Sequence, residues 1–176
     1  MTFQNIDSEV NTILSKLADL TLPIKVDDIA RSLGLRVLPY PLDNNVSGLL
    51  VIEENGKGII GYNQSESRVR RRFTIAHELG HFILHGNKHH LFVDKEFKEV
   101  RFNRSHESAK DSSKRKFEIE ANAFAASILM PETFLRKEFE KIKIDLGHED
   151  GMLELAKKFD VSVTAMYIRL TNLELI

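Results

Sequence analysis

Residues 72–85 read RFTIAHELGHFILH and contain the pattern His-Glu-x-x-His. On an α-helix, side chains four residues apart lie on the same face, about 6 Å apart along the helix axis. This spacing allows His77 and His81 to bind one tetrahedral metal ion. Glu78 follows the first histidine, so its carboxylate can reach a water on the metal without being a ligand itself. The pattern predicts the metal-binding helix of a zinc peptidase, with Glu78 as the general base.

The residues around this pattern are apolar on almost every side of the predicted helix. A helix of that kind is expected in the interior of a protein. Gly80 costs about 1 kcal/mol relative to alanine inside a helix, which a closely approaching neighbour would explain. The alternative interpretation is a core helix whose two histidines are only packed or hydrogen-bonded. The apolar residues are Phe73, Ile75, Ala76, Leu79, Gly80, Phe82, Ile83 and Leu84.

Length and composition exclude several classes of protein. A chain of 176 residues indicates one domain, or one domain with a small appendage. Its formal net charge of -1 gives no general electrostatic reason to bind nucleic acid or a membrane surface. The chain has no cysteine, so His, Asp and Glu remain as metal ligands. The N-terminal residues do not resemble a signal peptide, and no apolar run approaches the ~20 residues of a membrane span, so we expect a cytoplasmic protein.

The first third of the chain predicts helices followed by strands. Asn55-Gly56 between two apolar runs is a strong signal for a β-hairpin. Ser65 or Ser67 is expected to cap the N-terminus of the metal helix. We expect an α+β fold, mainly helical, with a small antiparallel sheet of three or four strands. The predicted elements are helices over 5–20 and from Asp27 to a stop at Gly34, and strands over 35–39, 47–53 and 58–62.

The second half of the chain predicts helices separated by one long polar connection, residues 87–116, of which 103–113 is expected to be the most mobile part. Helical patterns cover 114–130, a stretch from Pro131 to about 142, and two short helices within 152–176 that resemble a helix-turn-helix. Basic residues in that pair are few, which favours a closing element or partner dock over DNA binding. We therefore divide the chain into a metallopeptidase domain, 1–148, and a C-terminal helical element packed on it, 149–176.

A third metal ligand is needed besides the two histidines. His85 lies on the same helix stripe but about 12 Å from His77, too far to share one ion, and is expected at the helix end or rim. The helix over 117–129 offers Glu118, and Asn122 one turn later can hydrogen-bond a ligand histidine. Glu120 points to another side of this helix and is expected to be a surface charge. The alternative, with Glu120 as the ligand, stays open on this reasoning.

Two stretches together make the sequence similar to a known family. RFTIAHELGHFILH at 72–85 and EIEANAFAASILMP at 118–131 resemble the ImmA/IrrE family of zinc metallopeptidases, and the resemblance runs from about Pro23 to the end. It implies a gluzincin-like core with His77, His81 and Glu118 as zinc ligands, Glu78 as the base and Asn122 hydrogen-bonded to a ligand. It also implies cleavage of a specific intracellular protein, usually a helix-turn-helix repressor.

The sequence therefore predicts a zinc-dependent endopeptidase. Mn²⁺ or Fe²⁺ can also occupy a site with two histidines and one carboxylate. Two other functions stay open: a metal-containing module that captures a repressor without obligatory cleavage, and a DNA-binding regulator that acts through the C-terminal helices. A further donor to the developing oxyanion is expected, and the candidates are Tyr62, His89, His90, His106 and Tyr167.

Overall fold

A computed structural model describes residues 3–17, 19–43, 45–86, 91–95, 109–142 and 149–176. Within these residues the chain forms seven helices and four strands, which confirms the predicted α+β class. No helix in the described ranges is long and apolar enough to cross a lipid bilayer. The elements are α1 Phe3–Leu14, α2 Val26–Ser32, β1 Leu35–Tyr40, β2 Val46–Ile52, β3 Gly58–Asn63, α3 Arg68–His85, β4 Leu91–Lys95, α4 Ala109–Leu129, α5 Glu132–Ile142, α6 Glu149–Phe159 and α7 Val163–Asn172.

The sheet has the strand order β1-β3-β2-β4. Strands β2 and β3 form the predicted hairpin, with Leu50 opposite Ile60, and Gly56 in its turn has a φ of +79°. This left-handed conformation costs glycine little because glycine has no Cβ. Strand β4 pairs antiparallel with the other side of β2 and forms one edge of the sheet.

The first strand makes the sheet mixed instead of antiparallel throughout. β1 pairs parallel with β3, and Leu35 lies opposite Gly58. The chain reverses direction between β1 and β2, and the hairpin reverses it again, so β1 and β3 run the same way. Because β3 lies between β1 and β2, a parallel pair results. The predicted antiparallel arrangement therefore holds for β3-β2-β4 and is corrected for β1.

Helix α3 lies between the sheet and α4 and carries the His-Glu-x-x-His pattern. The Ser67 side chain caps its N-terminus by accepting a hydrogen bond from the Arg70 backbone N–H at 3.4 Å. A Cβ atom at Gly80 would lie 3.1 Å from the Phe124 side chain and 3.2 Å from the Ala121 Cα atom. Glycine at this position therefore allows the backbones of α3 and α4 to approach each other closely.

Several predicted boundaries differ from the structure. Helix α1 ends at Leu14 instead of residue 20, while Leu17 and Leu20 pack against the core without being helical. Helix α4 begins at Ala109, five residues before the predicted start. Of the segment predicted to be mobile, residues 103–113, the part up to residue 108 lies outside the described residues. The part from 109 to 113 belongs to α4. Strand β4 was not predicted, because its five residues carry no alternating pattern that stands out from the polar connection.

Helices α6 and α7 pack on the rest of the protein through ion pairs. Arg68 and Arg72 of α3 contact the Asp160 carboxylate in the turn before α7, with N–O distances of 2.8 and 3.1 Å. The buried guanidinium of Arg169 in α7 donates to Asp7 Oδ1 of α1 at 2.9 Å. The proposed domain boundary, between residues 148 and 149, adjoins residues 143–148, which lie outside the described residues, and it stays a prediction.

Candidate metal centre

Helices α3 and α4 bring two imidazoles and one carboxylate together. The Nε2 atoms of His77 and His81 lie 3.0 Å apart. Glu118 Oε2 lies 3.3 Å from His77 Nε2, and Glu118 Oε1 lies 3.5 Å from His81 Nε2. One donor atom from each of the three residues lies within 4.8 Å of the others, so the group could hold a metal ion.

These distances suit a tetrahedral metal ion. Zinc–nitrogen and zinc–oxygen bonds of about 2.0–2.1 Å place two ligand atoms of a tetrahedron roughly 3.3 Å apart. The three observed separations, 3.0, 3.3 and 3.5 Å, lie around this value. Nitrogen and carboxylate oxygen are also the donors that zinc takes in catalytic sites with two histidines and one glutamate. The residues present therefore fit the metal.

Asn122 sets the protonation of the His77 ring. His77 Nδ1 lies 2.9 Å from Asn122 Oδ1, one turn after Glu118 on α4. An amide oxygen only accepts hydrogen bonds, so His77 Nδ1 must carry the proton. In the neutral ring, Nε2 then holds the lone pair and faces His81 and Glu118. This arrangement is the one that a metal-binding histidine needs.

His81 is buried and held by an aromatic neighbour. Burial lowers the pKa of its imidazole, the nearby His77 ring lowers it further, and the Glu118 carboxylate acts in the opposite direction. The ring stacks on Phe92 of β4, with centroids 4.4 Å apart. No hydrogen bond to His81 Nδ1 is made by any residue that the structure describes. Burial thus favours the neutral imidazole, the form that binds metals.

Glu118 is the member of the group that faces solvent, since its side chain is 34% exposed. Burial alone would raise the pKa of this carboxyl group. Hydrogen bonds and charge interactions with His77 and His81 outweigh that effect and hold the pKa well below its usual range. The carboxylate is therefore ionised at neutral pH, as a metal ligand must be.

Glu78 is completely buried beneath strand β2. A Cβ atom added at Gly48 would lie 3.1 Å from Glu78 Oε1 and would clash with Thr74 Cγ2. Gly48 therefore lets the strand pass directly over the Glu78 side chain. A glycine inside a strand often marks such a close approach, although the sequence does not say which side chain approaches it.

Replacing Gly48 with alanine is expected to destabilise the protein by roughly 1–3 kcal/mol, because the added methyl group overpacks a buried contact. Urea unfolding measures this change. The double variant Gly48→Ala/Thr74→Ser removes the Thr74 methyl group that the new Cβ meets, so it should recover part of the lost stability. Equal stability of Gly48→Ala and the wild type would contradict the close packing of β2 on α3.

His85 and Glu120 differ from their predicted environments. Glu120 is only 7% exposed, so it is not a surface charge. Its Oε2 atom lies 3.5 Å from His85 Nε2, and the buried His85 ring stacks on Phe117 with centroids 4.3 Å apart. His85 is thus at the end of its helix but not at an exposed rim. Each group is the polar partner of the other, which accounts for the burial of both. The periodicity of apolar residues in α4 could not indicate this contact.

Two of the five candidates for the oxyanion donor, Tyr62 and Tyr167, lie among the described residues. Tyr62 is half-buried on β3 opposite Gly48, and Tyr167 is exposed on α7. Among the hydrogen bonds of the described residues, none joins either tyrosine side chain to His77, His81 or Glu118. The histidines at 89, 90 and 106 lie outside the described residues.

Residues 30–171 match the model of the peptidase M78 family, described as the IrrE N-terminal-like domain. Uncharacterized immunity region protein 2 of Bacillus phage phi105 is 28% identical over 105 residues, which cover 60% of this chain and 58% of the phage protein.

A transcriptional regulator of Mycobacterium tuberculosis has a similar solved structure, with a TM-score of 0.63. The two chains are 15% identical, and the match covers 96% of this chain and 46% of the regulator. At this level of identity the similarity concerns the fold alone. This chain therefore spans about half of the regulator, and 58% of the phage relative.

Proposed function

The chain belongs to the peptidase M78 family, and we propose that it is a zinc-dependent endopeptidase that cleaves one specific intracellular protein. The observation that carries the proposal is the convergence of His77, His81 and Glu118 beside the buried Glu78. A module that only captures a partner has no need for a general base at such a site. Zinc is the proposed metal, and Mn²⁺ or Fe²⁺ suit the same donors.

In the proposed reaction, His77, His81 and Glu118 hold the metal. When bound, zinc polarises the peptide carbonyl and lowers the pKa of a water molecule toward ~7. Glu78 takes the proton of the attacking water and then delivers it to the leaving amine nitrogen. Asn122 keeps the proton of His77 on Nδ1, so that Nε2 stays directed at the site.

We propose a helix-turn-helix transcriptional repressor as the substrate, which would make the protein a cytoplasmic antirepressor. The phage relative supports this choice, because its name places it in an immunity region. Direct nucleic-acid binding is not proposed. Arg169, one of the three basic residues of the C-terminal pair, is buried against Asp7, and Lys158 contacts Glu138. Such pairs leave little positive charge for phosphate contacts.

Asn122→Leu is expected to weaken metal binding by about 10–100-fold, since a hydrogen-bonding partner of a ligand histidine contributes that much affinity. Competition with a chromophoric chelator measures the affinity. Asn122→Asp keeps an oxygen acceptor for His77 and should bind metal as tightly as the wild type. Unchanged affinity in Asn122→Leu would mean that Asn122 does not orient the ring.

The peptidase function is tested by labelling new protein N-termini in a bacterial extract that contains candidate repressors. Zinc-loaded wild type should generate a small set of new N-termini, and they should disappear after the metal is removed with a chelator and return when zinc is restored. A metal-loaded protein that yields the same N-termini as a no-enzyme control, with a purified repressor also intact, would contradict proteolysis.

A further inference from the structure

An apolar groove of about 710 Å³ runs between α3, α4 and α7. Its size lies within the range of binding pockets for small ligands or short peptide segments. The floor carries small α4 side chains, including Ala123 and Ala126, and the walls carry larger apolar ones, including Phe73 and Ile168. Ile119 and Ile168 remain 48% and 52% exposed at its rim. The groove and its rim therefore offer apolar surface to an incoming ligand.

One end of the groove lies against the candidate metal centre. Asn122 lines the groove and hydrogen-bonds His77 Nδ1, so the groove reaches the side of the His77 ring away from its Nε2 donor atom. Phe73, another lining residue, has its ring centroid 6.4 Å from that of His77. On the open side of the centre, the exposed Glu118 directly precedes Ile119 at the rim.

The groove carries little net charge. The described residues that line it include no carboxylate, and their one formally charged side chain, Arg70, pairs with Glu66 Oε1 at 3.6 Å and donates to Ser47 Oγ at 3.1 Å. The N-terminal caps of α3 and α7, Ser67 and Ser162, also line it, and helix N-termini carry partial positive charge. An occupant with apolar side chains and without basic flanks complements this nearly uncharged surface.

We propose that the apolar groove binds an apolar segment of the protein substrate, without basic flanks, and thereby places the neighbouring peptide bond at the metal centre. The inference rests on the proposed peptidase function. The groove floor from Ile119 to Met130 is roughly 16 Å long, enough for about five extended residues. A substrate chain that continues from the groove reaches Glu118 within a few residues. Contacts in the groove therefore determine which proteins are cleaved.

The test separates binding from catalysis by using the zinc-loaded Glu78→Gln variant, which keeps the groove intact. Random 12-residue peptides are displayed and selected on this protein, and dissociation constants of the selected synthetic peptides are measured by fluorescence anisotropy. We expect enrichment of Leu, Ile, Phe and Met and depletion of Lys and Arg. Adding Ile168→Lys or, separately, Ala126→Gln should weaken the binding of these peptides at least tenfold.

Leu153→Lys is the matched control, because Leu153 is also an exposed aliphatic residue of a helix, 42% exposed, and does not line the groove. It should leave the peptide affinities unchanged, and equal urea midpoints show that all variants fold. Peptides without apolar enrichment, or affinities insensitive to both groove variants, would overturn the proposal. So would a dimer of the parent protein that Ile168→Lys converts to a monomer, since a second copy would then occupy the groove.

Two results distinguish a failure of the groove proposal from a failure of the proposed peptidase function. Groove-dependent binding of peptides that the zinc-loaded wild type leaves intact would support the groove and count against the peptidase. Cleavage of a repressor at equal rates by wild type and Ile168→Lys would support the peptidase and overturn the groove as its substrate-binding surface.

Discussion

Glu78→Gln is expected to lower kcat/KM for the protein substrate by about 10²–10⁴-fold, the range that a general acid–base group contributes. Glutamine has nearly the same shape but cannot accept the proton of the attacking water. The side chain is completely buried, so water cannot readily supply a substitute base at the same place. The rate is measured by gel or mass-spectrometric detection of the cleaved repressor under single-turnover conditions.

The metal content distinguishes this loss from a collapse of the site. Glu78→Gln should retain about one zinc per chain, because Glu78 is not one of the three donors that converge. His77→Ala should lose both the metal and the cleavage. Cleavage at the wild-type rate by a clean Glu78→Gln preparation would contradict the role of Glu78 as the general base. If this variant instead exerts the full biological effect by capturing the repressor without cutting it, the protein is a binding module.

Glu118→Ala is expected to abolish stable metal binding. The carboxylate supplies one of the three donors. Its loss should therefore weaken metal binding by more than the 10–100-fold expected when a residue that hydrogen-bonds to a ligand is removed. Inductively coupled plasma mass spectrometry of purified protein, loaded with zinc and dialysed, gives the stoichiometry. We expect about one zinc in the wild type and almost none in Glu118→Ala.

Glu120→Gln is the matched control for this measurement, since Glu120 is two residues away on the same helix. It lies beside His85 and does not belong to the three residues whose donor atoms converge, so the zinc content should stay near that of the wild type. Glutamine is preferable to alanine here because Glu120 is buried, and a truncated side chain would leave a cavity beside His85. Loss of zinc only in Glu120→Gln would assign the third ligand to Glu120. A wild type that takes up no zinc would make His77 and His81 core residues.

Signals between near neighbours in the chain predict the individual helices and the hairpin. The apolar pattern and the cap at Ser67 predict α3, and Asn55-Gly56 predicts the hairpin, because each signal depends on residues only a few positions apart. The four-residue spacing of His77 and His81 depends only on helix geometry, whereas the choice of Glu118 over Glu120 came from the family resemblance, and the structure brings His77, His81 and Glu118 together. Their roles as ligands remain for the zinc measurement to decide.

Contacts between residues that are distant in sequence depend on how the helices and strands pack together. The parallel pairing of β1 with β3, the passage of Gly48 over Glu78 and the stacking of Phe92 on His81 join segments that are far apart in sequence. Periodicity shows which face of an element is apolar, but it does not show which other element covers that face. Glu120 illustrates the difference: the period of α4 placed it correctly away from Glu118, and only the packing of α4 on α3 buried it beside His85.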